Sequence, residues 1–427
     1  MGPGCPGQQT GALVGRGLEP CVGLSFMREA GSTPGSKATT DESNAPKGPP
    51  NFLTDGKWLK EPIGDRILEP RGLANAGNLC FANSVLQALL GDPRMMRLVK
   101  MLDDVKGLLG SARVAQSLRE FVAQVNPDAF SGKRLVDGQD RGRIALAGCP
   151  IAPPARHDLI EAFVPEWRRR GEQQDVQEFL AWLIDALHED LLHLARSRKS
   201  DVVGGVDARH PGTDESEEEW LTMRGRRSVE QRSVGEDEQT AISLLARGRM
   251  ASSVSASSRA PSVTLQPFTV LGLHLLDTNI RSIEDAIDEL TRVEQVHGYR
   301  PAGSSAPTTA KKTVRFERLP PLLVLQVVRY NFEEDAGTVK IARRIDIPAR
   351  LKVRNKWLDK ASQDRGAEYI LRATVTHHGE LVGSGHYTAN VLQPSGRWIN
   401  YDDSEVSPIS PADVLEDSPY LLFYSRE

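Results

Sequence analysis

"NAGNLCFANSVLQALL" occupies residues 75–90 and sets one of the chain's four cysteines, Cys80, at the point where a Gly/Asn-rich turn gives way to a helical pattern. Phe81, Val85, Leu86, Leu89 and Leu90 recur at helical spacing, so a helix is expected to begin at the cysteine. A helix N-terminus presents unpaired N–H groups and a partial positive charge. A thiol placed there is easier to ionise, and the thiolate is the nucleophilic form. Two readings of Cys80 stay open at this point: a nucleophile, or a small buried hydrophobe of the kind free cysteines often are. The presence of a base decides between them.

The C-terminal region offers one. In "GSGHYTANVLQPSGRWINYDD" (383–403), two strand-like runs flank the turn signal "QPSG". A hairpin turning near Pro394–Ser395 sets His386 opposite Asp402, where directly paired side chains share one face about 5 Å apart. A carboxylate so placed orients an imidazole and stabilises its charged form.

The rest of the chain fixes the class. It has 427 residues, 39% hydrophobic and 26% charged, with a formal net charge of −4. That near-neutral balance gives no electrostatic reason to expect nucleic acid or an anionic membrane as a partner. Cys5, Cys21, Cys80 and Cys149 form no CxxC pair and no paired spacing, so neither a zinc site nor a disulfide framework is expected. No apolar run reaches the ~18–20 residues that span a bilayer. Signal-peptide order is absent at the N-terminus. The chain reads as a soluble protein of the cytoplasm or nucleus, with no membrane insertion and no cofactor.

Residues 1–66 are rich in Gly, Pro, Ser and Thr and read as a mostly disordered tail, with ordered sequence starting near "ILEPRGLANAGN". A low-complexity acidic insertion, about 196–238, reads as a solvated loop, with a segment for docking a regulatory partner or for modification as the alternative, and "SSVSASSRAPS" (252–262) and "AGSSAPTTAKK" (302–312) read as shorter loops. Firm elements lie between. In "DVQEFLAWLIDALHED", Val176, Phe179, Leu180, Leu183, Ile184 and Leu187 form one helix face. "SIEDAIDELTRV" opens on a capping-type Ser282…Asp285 pair and repeats Ile283, Ala286, Ile287 and Leu290. "LLVLQVVRY", "YILRATVTHH", "GHYTANVL", "RWINYDD" and "YLLFYS" then change to β-branched and aromatic runs. Helices first and strands later predict an α+β protein, a helical lobe beside an antiparallel sheet.

At these residues the chain resembles the ubiquitin-specific protease family of deubiquitinating cysteine peptidases. Its cysteine box is "GLANAGNLCFANSVLQ" (72–87), its histidine box Gly385-His386-Tyr387 with Trp398 and "YDDSEV". "QQDVQEFLAWLIDALHED" matches the family's Gln-Asp-x-x-Glu-Phe helix and "LPPLLVLQVVRY" its Leu-Pro-Pro strand. Four ordered motifs cover residues 71–426. The resemblance implies a papain-like thumb, palm and fingers, with the thumb about 71–195 and fingers and palm about 239–427.

It also implies roles: Cys80 the nucleophile, His386 the general base, Asp402 its orienter, Asn75 the oxyanion-hole amide, and Asp403 an auxiliary acting through the histidine or water. Asp175 and Glu178 match positions that contact ubiquitin's C-terminal tail. Tyr387 is either a ubiquitin contact or a core aromatic. The segment from "SVTLQPF" to "VEQVHGY" is similar to the subgroup containing ubiquitin-specific protease ten and its yeast counterpart.

Departures from the pattern are Leu79 for Thr, Phe81 for Tyr, and Gln326 and Val328 for the His and Lys of the palm strand. The zinc-binding CxxC pairs of many members are missing, so no metal is expected. The resemblance thus implies a deubiquitinase acting on ubiquitin and ubiquitinated proteins through an acyl-enzyme. The alternatives are a ubiquitin-binding scaffold without turnover and a hydrolase of a ubiquitin-like modifier.

Overall fold

Helix α1 (Cys80–Leu90) lies at the centre of the molecule, and all eleven of its residues are buried. It packs on both the helical lobe and the palm sheet, so its polar residues need partners. Ser84 donates to the Phe81 carbonyl and Gln87 to the Arg71 carbonyl; Asn83 belongs to the site described below. In this computed structural model the described residues are 53–60, 70–75, 77–127, 129–130, 150–165, 173–202, 220–223, 229–233, 238–256, 261–300, 307–333, 337–381 and 384–427, all within the unit Lys47–Glu427.

The helical lobe adds α2 (Pro93–Asp104), α3 (Arg113–Val125), α4 (Pro154–Phe163), α5 (Val176–Val202) and the short α6 (Ala241–Ala246). Asp92 caps α2 through the Arg94 and Met95 N–H groups. Asp175 caps α5 through those of Gln177 and Glu178. The periodic face of α5 is buried as expected: Phe179 meets Phe81 edge-on at 5.5 Å and Phe163 at 5.4 Å.

Among the described residues there are sixteen strands: β1 (Trp220–Met223), β2 (Val229–Ser233), β3 (Gly248–Ala256), β4 (Ser262–Phe268), β5 (Val270–His274), β6 (Glu294–Tyr299), β7 (Thr308–Arg318), β8 (Leu322–Val328), β9 (Tyr330–Glu333), β10 (Gly337–Lys340), β11 (Arg350–Lys352), β12 (Glu368–Leu381), β13 (Ser384–Leu392), β14 (Trp398–Asp402), β15 (Glu405–Ile409) and β16 (Leu421–Arg426). Two further helices interrupt them, α7 (Ile283–Leu290) and α8 (Pro411–Glu416). Ser282 and Asp285 form the expected capping box at α7. The palm is an eight-stranded sheet ordered β15-β14-β13-β12-β16-β8-β5, with β11 paired to β12. The fingers are a six-stranded sheet ordered β1-β2-β4-β3-β7-β6.

The central palm strands are buried on both faces. Leu322, Val324, Leu421 and Phe423 join the core beneath the helical lobe, while Leu323, Leu325, Leu422 and Tyr424 join a second core with Trp357 and α7. Strand β12 switches faces midway. Leu371 belongs to the second core but Ala373 and Val375 to the first. A bulge between Leu371 and Ala373 causes the switch, because one extra residue inverts the alternation.

Several expected loops are strands. The segment 252–262 contains the end of β3 and the start of β4, and 302–312 contains the start of β7. Inside the acidic insertion, α5 continues to Val202, and β1 and β2 extend the finger sheet, β2 parallel to β4. Ser- and Thr-rich runs look like loops by composition, but strand pairing is satisfied through backbone groups that composition does not report. The N-terminal boundary also moves. Leu53 and Trp58 are buried in the helical-lobe core, ahead of the expected start, and Arg97 donates to the Trp58 carbonyl. Residues 1–52 and 61–69 lie outside the described residues. Among the described residues, no helix is long and apolar enough to cross a membrane.

Candidate active site

Two consecutive residues ahead of α1, Gly77 (φ 116°) and Asn78 (φ 53°), take left-handed backbone conformations. That turn is what the Gly/Asn-rich stretch provides, since these residue types tolerate positive φ. It delivers Cys80 to the first helical position with no side-chain cap on Leu79. Asn75 substitutes for a cap, its Oδ1 accepting from the Leu79 N–H at 2.9 Å.

Cys80 lies against β13. The Tyr387 N–H favours the ionised form of its sulfur. Gln173 Nε2 donates to the same sulfur at 3.4 Å and to the Gly385 carbonyl at 3.0 Å, while the Gly385 N–H donates to Gln173 Oε1 at 3.1 Å. Gln173 thus links the thiol to the backbone beside His386. A side chain at position 385 would not fit: a Cβ there would stand 2.4 Å from both His377 Nε2 and the His378 carbonyl.

The thiol is not the easily ionised group that a helix start suggests. Burial raises its pKa above the ordinary value, and the Asp403 carboxylate raises it further. The N–H groups of Tyr387 and Phe81 and the Gln173 amide act in the opposite direction without reversing the balance. Desolvation is the largest of these influences.

His386 Nε2 lies 2.6 Å from Asp402 Oδ1. The two residues are not cross-strand partners as expected. Ala389 pairs with Tyr401 and Leu392 with Trp398, so the loop centres on Ser395, with a Gln393 N–H to Arg397 carbonyl bond and Gly396 at φ 81°. The hydrogen bond therefore runs along a diagonal, on which side chains still share a face. Asp403 follows at φ 50° in the tight turn between β14 and β15 and points elsewhere. Its Oδ2 accepts from Asn75 Nδ2 and its Oδ1 from Asn83 Nδ2, both at 2.7 Å. Its nearest approach to His386 Nε2 is 4.0 Å.

Asp175 accepts from the Tyr420 hydroxyl at 3.0 Å, and Gln326 donates to that same hydroxyl at 2.7 Å. Gln326, although it departs from the family pattern, thus has a polar partner. Glu178 is exposed. The ring of Tyr387 is 4% exposed and packs on His377 at 4.7 Å, so it is a core aromatic and not a surface contact. Burial pushes its hydroxyl above the ordinary tyrosine range. His377, bonded to the Tyr330 hydroxyl, is pushed down to about 4 by burial and by Lys340. Among the described residues, the one group of three metal-ligating side chains is His386, Asp402 and Asp403, whose ligand atoms lie within 4.8 Å. Hydrogen bonding within the site accounts for that proximity.

The sequence reading missed Gln173, Asn83 and Arg156. Gln173 stands two residues before Asp175 and Asn83 three after Cys80, so both sit inside motifs already quoted. Arg156 lies in no pattern that marks it.

A helical lobe and an antiparallel palm sheet meeting at a cysteine and a histidine define the papain-like class of folds, and the six-stranded sheet adds the fingers. The chain belongs to the ubiquitin carboxyl-terminal hydrolase family, whose model matches residues 71–424. It is 28% identical over 363 residues to ubiquitin carboxyl-terminal hydrolase 24 of Arabidopsis thaliana, covering 84% of this chain and 64% of that one. To ubiquitin carboxyl-terminal hydrolase 10-B of Xenopus laevis it is 30% identical over 400 residues, 88% of this chain and 49% of the relative. Probable ubiquitin carboxyl-terminal hydrolase 3 of Schizosaccharomyces pombe is 30% identical, covering 84% and 75%. The chain therefore spans about half to two thirds of the length of the first two relatives. Among solved structures, the SAGA DUB module of Ubp8, Sgf11, Sus1 and Sgf73 bound to monoubiquitin superposes with a TM-score of 0.60 at 20% identity. The match covers 86% of this chain and 72% of that one, and it shows a shared fold.

Proposed function

We propose that the chain is a deubiquitinating thiol hydrolase that cleaves the bond after the C-terminal glycine of ubiquitin. The observation that carries this reading is the Gln173 amide that joins the Cys80 sulfur to Gly385, the neighbour of an imidazole already bonded to Asp402.

With Nε2–H donated to Asp402, the other ring nitrogen, Nδ1, is the acceptor for the thiol proton. Burial raises the pKa of the thiol, and His386 removes its proton as the substrate carbonyl enters. The sulfur attacks the carbonyl carbon, and the negative charge on oxygen is met by Asn75 Nδ2 and the backbone N–H groups at the start of α1. Collapse breaks the C–N bond, and His386 returns its proton to the leaving lysine amine, leaving a thioester on Cys80. Water then attacks the thioester while His386 accepts its proton. Ubiquitin leaves with a free carboxylate and the thiol is regenerated. Asp175 and Glu178, at the start of α5, are the carboxylates positioned for the cationic tail.

Ubiquitin–aminomethylcoumarin and ubiquitin–propargylamide test the proposal together. Expected are coumarin release and a covalent adduct with the wild type, and neither with Cys80→Ala. A wild type that forms no adduct is a binding scaffold, and faster release from a ubiquitin-like fluorogenic substrate reassigns the modifier.

A further inference from the structure

Arg156 is fully buried in the first turn of α4. A cation there meets both a desolvation cost and the positive end of a helix. No acidic side chain lies in that turn to offset it. Burial lowers its pKa to about 10, and the Asp403 carboxylate acts against that fall, so the guanidinium stays charged at neutral pH. Its Nη1 donates to the Ala74 carbonyl at 2.8 Å and to Asn83 Oδ1 at 2.7 Å. The Ala74 contact also anchors the residue immediately before Asn75.

The chemistry of these groups permits only one arrangement. Arginine can only donate and a carboxylate can only accept. Asn83 stands between them, its Oδ1 on Arg156 and its Nδ2 on Asp403, so its amide cannot flip. Asp403 then has one oxygen held by Asn83 and the other by Asn75. Asn75 is fixed in turn, with Oδ1 on the Leu79 N–H.

We propose that Arg156 is a positioning residue for Asn75, acting through Asn83 and Asp403 to hold the second Asn75 N–H where the oxyanion develops. This inference rests on the proposed hydrolase reading. It adds a member of the helical lobe, far from Asp403 in sequence, that touches no substrate.

The test compares wild type with Arg156→Met and Arg156→Lys. Turnover of ubiquitin–aminomethylcoumarin is measured beside alkylation of Cys80 by iodoacetamide at its high-pH plateau, a displacement in which no oxyanion forms. Expected for R156M are a kcat lowered roughly tenfold or more, KM and plateau alkylation within about twofold of wild type, and partial rescue in R156K. A folded R156M with wild-type kcat overturns the proposal, as does alkylation that falls in step with turnover.

If R156M does not fold, Asn83→Asp replaces it. That variant keeps an acceptor for Arg156 but loses the donor to Asp403, and its kcat is expected to fall likewise; an unchanged kcat overturns the relay. A readout without substrate separates this inference from the functional one. The Asn75 side-chain amide resonances are expected to shift in R156M (or in N83D), and unshifted resonances overturn the relay even where wild type turns over ubiquitin. Wild-type enzyme that does not turn over ubiquitin overturns the functional reading itself.

Discussion

His386 and Asp402 are joined at 2.6 Å along a diagonal of the β13–β14 hairpin, two positions away from direct cross-strand pairing. The bond depends on the reach of both side chains. Asp402→Ala is expected to lower kcat by about 10²–10⁴-fold, the range for loss of a histidine-orienting carboxylate. Ubiquitin affinity, measured by calorimetry in a Cys80→Ala background, is expected to hold. A D402A enzyme with wild-type kcat removes Asp402 from the mechanism.

Asp403 serves the other side of the site, and its loss separates two rates. Asp403→Ala strips Asn75 and Asn83 of their acceptor, so turnover is expected to fall by roughly 10²-fold. The same carboxylate raises the Cys80 pKa, and removing it lowers that pKa. The midpoint of the iodoacetamide pH profile is therefore expected at lower pH than in wild type. Alkylation near neutral pH rises while hydrolysis falls.

Gln173 acts on the thiol with the opposite sign. Its amide donates to the sulfur and lowers the Cys80 pKa, so Gln173→Ala is expected to move the alkylation midpoint to higher pH. Both bonds to Gly385 are lost as well. Parallel profiles for Q173A and D403A contradict this assignment.

His377 is held neutral in the fold, with its pKa down at about 4 against an ordinary 6.5. The unfolded chain binds this proton below about pH 6.5 and the folded chain only near 4. Its contribution to stability is thus fully present above pH 6.5 and is lost as pH falls toward 4. Urea midpoints across that window are expected to decline less steeply in His377→Phe than in wild type.

Gly72 opens the cysteine box for a steric reason. A Cβ there would lie 2.2 Å from the Ser404 carbonyl oxygen, in the turn that carries Asp403. Leu73 N–H already donates to the Asp403 carbonyl at 2.7 Å. Gly72→Ala is expected to cost about 1–3 kcal/mol of unfolding free energy as an overpacked site. Its kcat is expected to fall further than stability alone explains, because the Asp403 turn must move.

Much of this was legible along the chain. The periods of α1 and α5 appear as apolar spacing, and Ser282…Asp285 announces the capping box of α7. Gly77 and Asn78 mark the turn before Cys80, because few other residues accept those φ angles. The hairpin placed His386 and Asp402 on one face, with a small error of register. Loops were harder: "SSVSASSRAPS" lies partly in strands whose partners, β4 and β7, fix them through the backbone.

Local spacing, turn chemistry and motif order, all carried by neighbours in the chain, were sufficient for the α+β class, for a cysteine at a helix start and for a histidine–aspartate hairpin. Tertiary structure alone decided which groups meet across more than three hundred positions. It buried the thiol, which raises its pKa, sent Asp403 to two asparagines instead of the histidine, and placed Arg156 behind them. Desolvation and hydrogen-bond partnership depend on what lies within a few ångströms in space, and that is a property of the packed core.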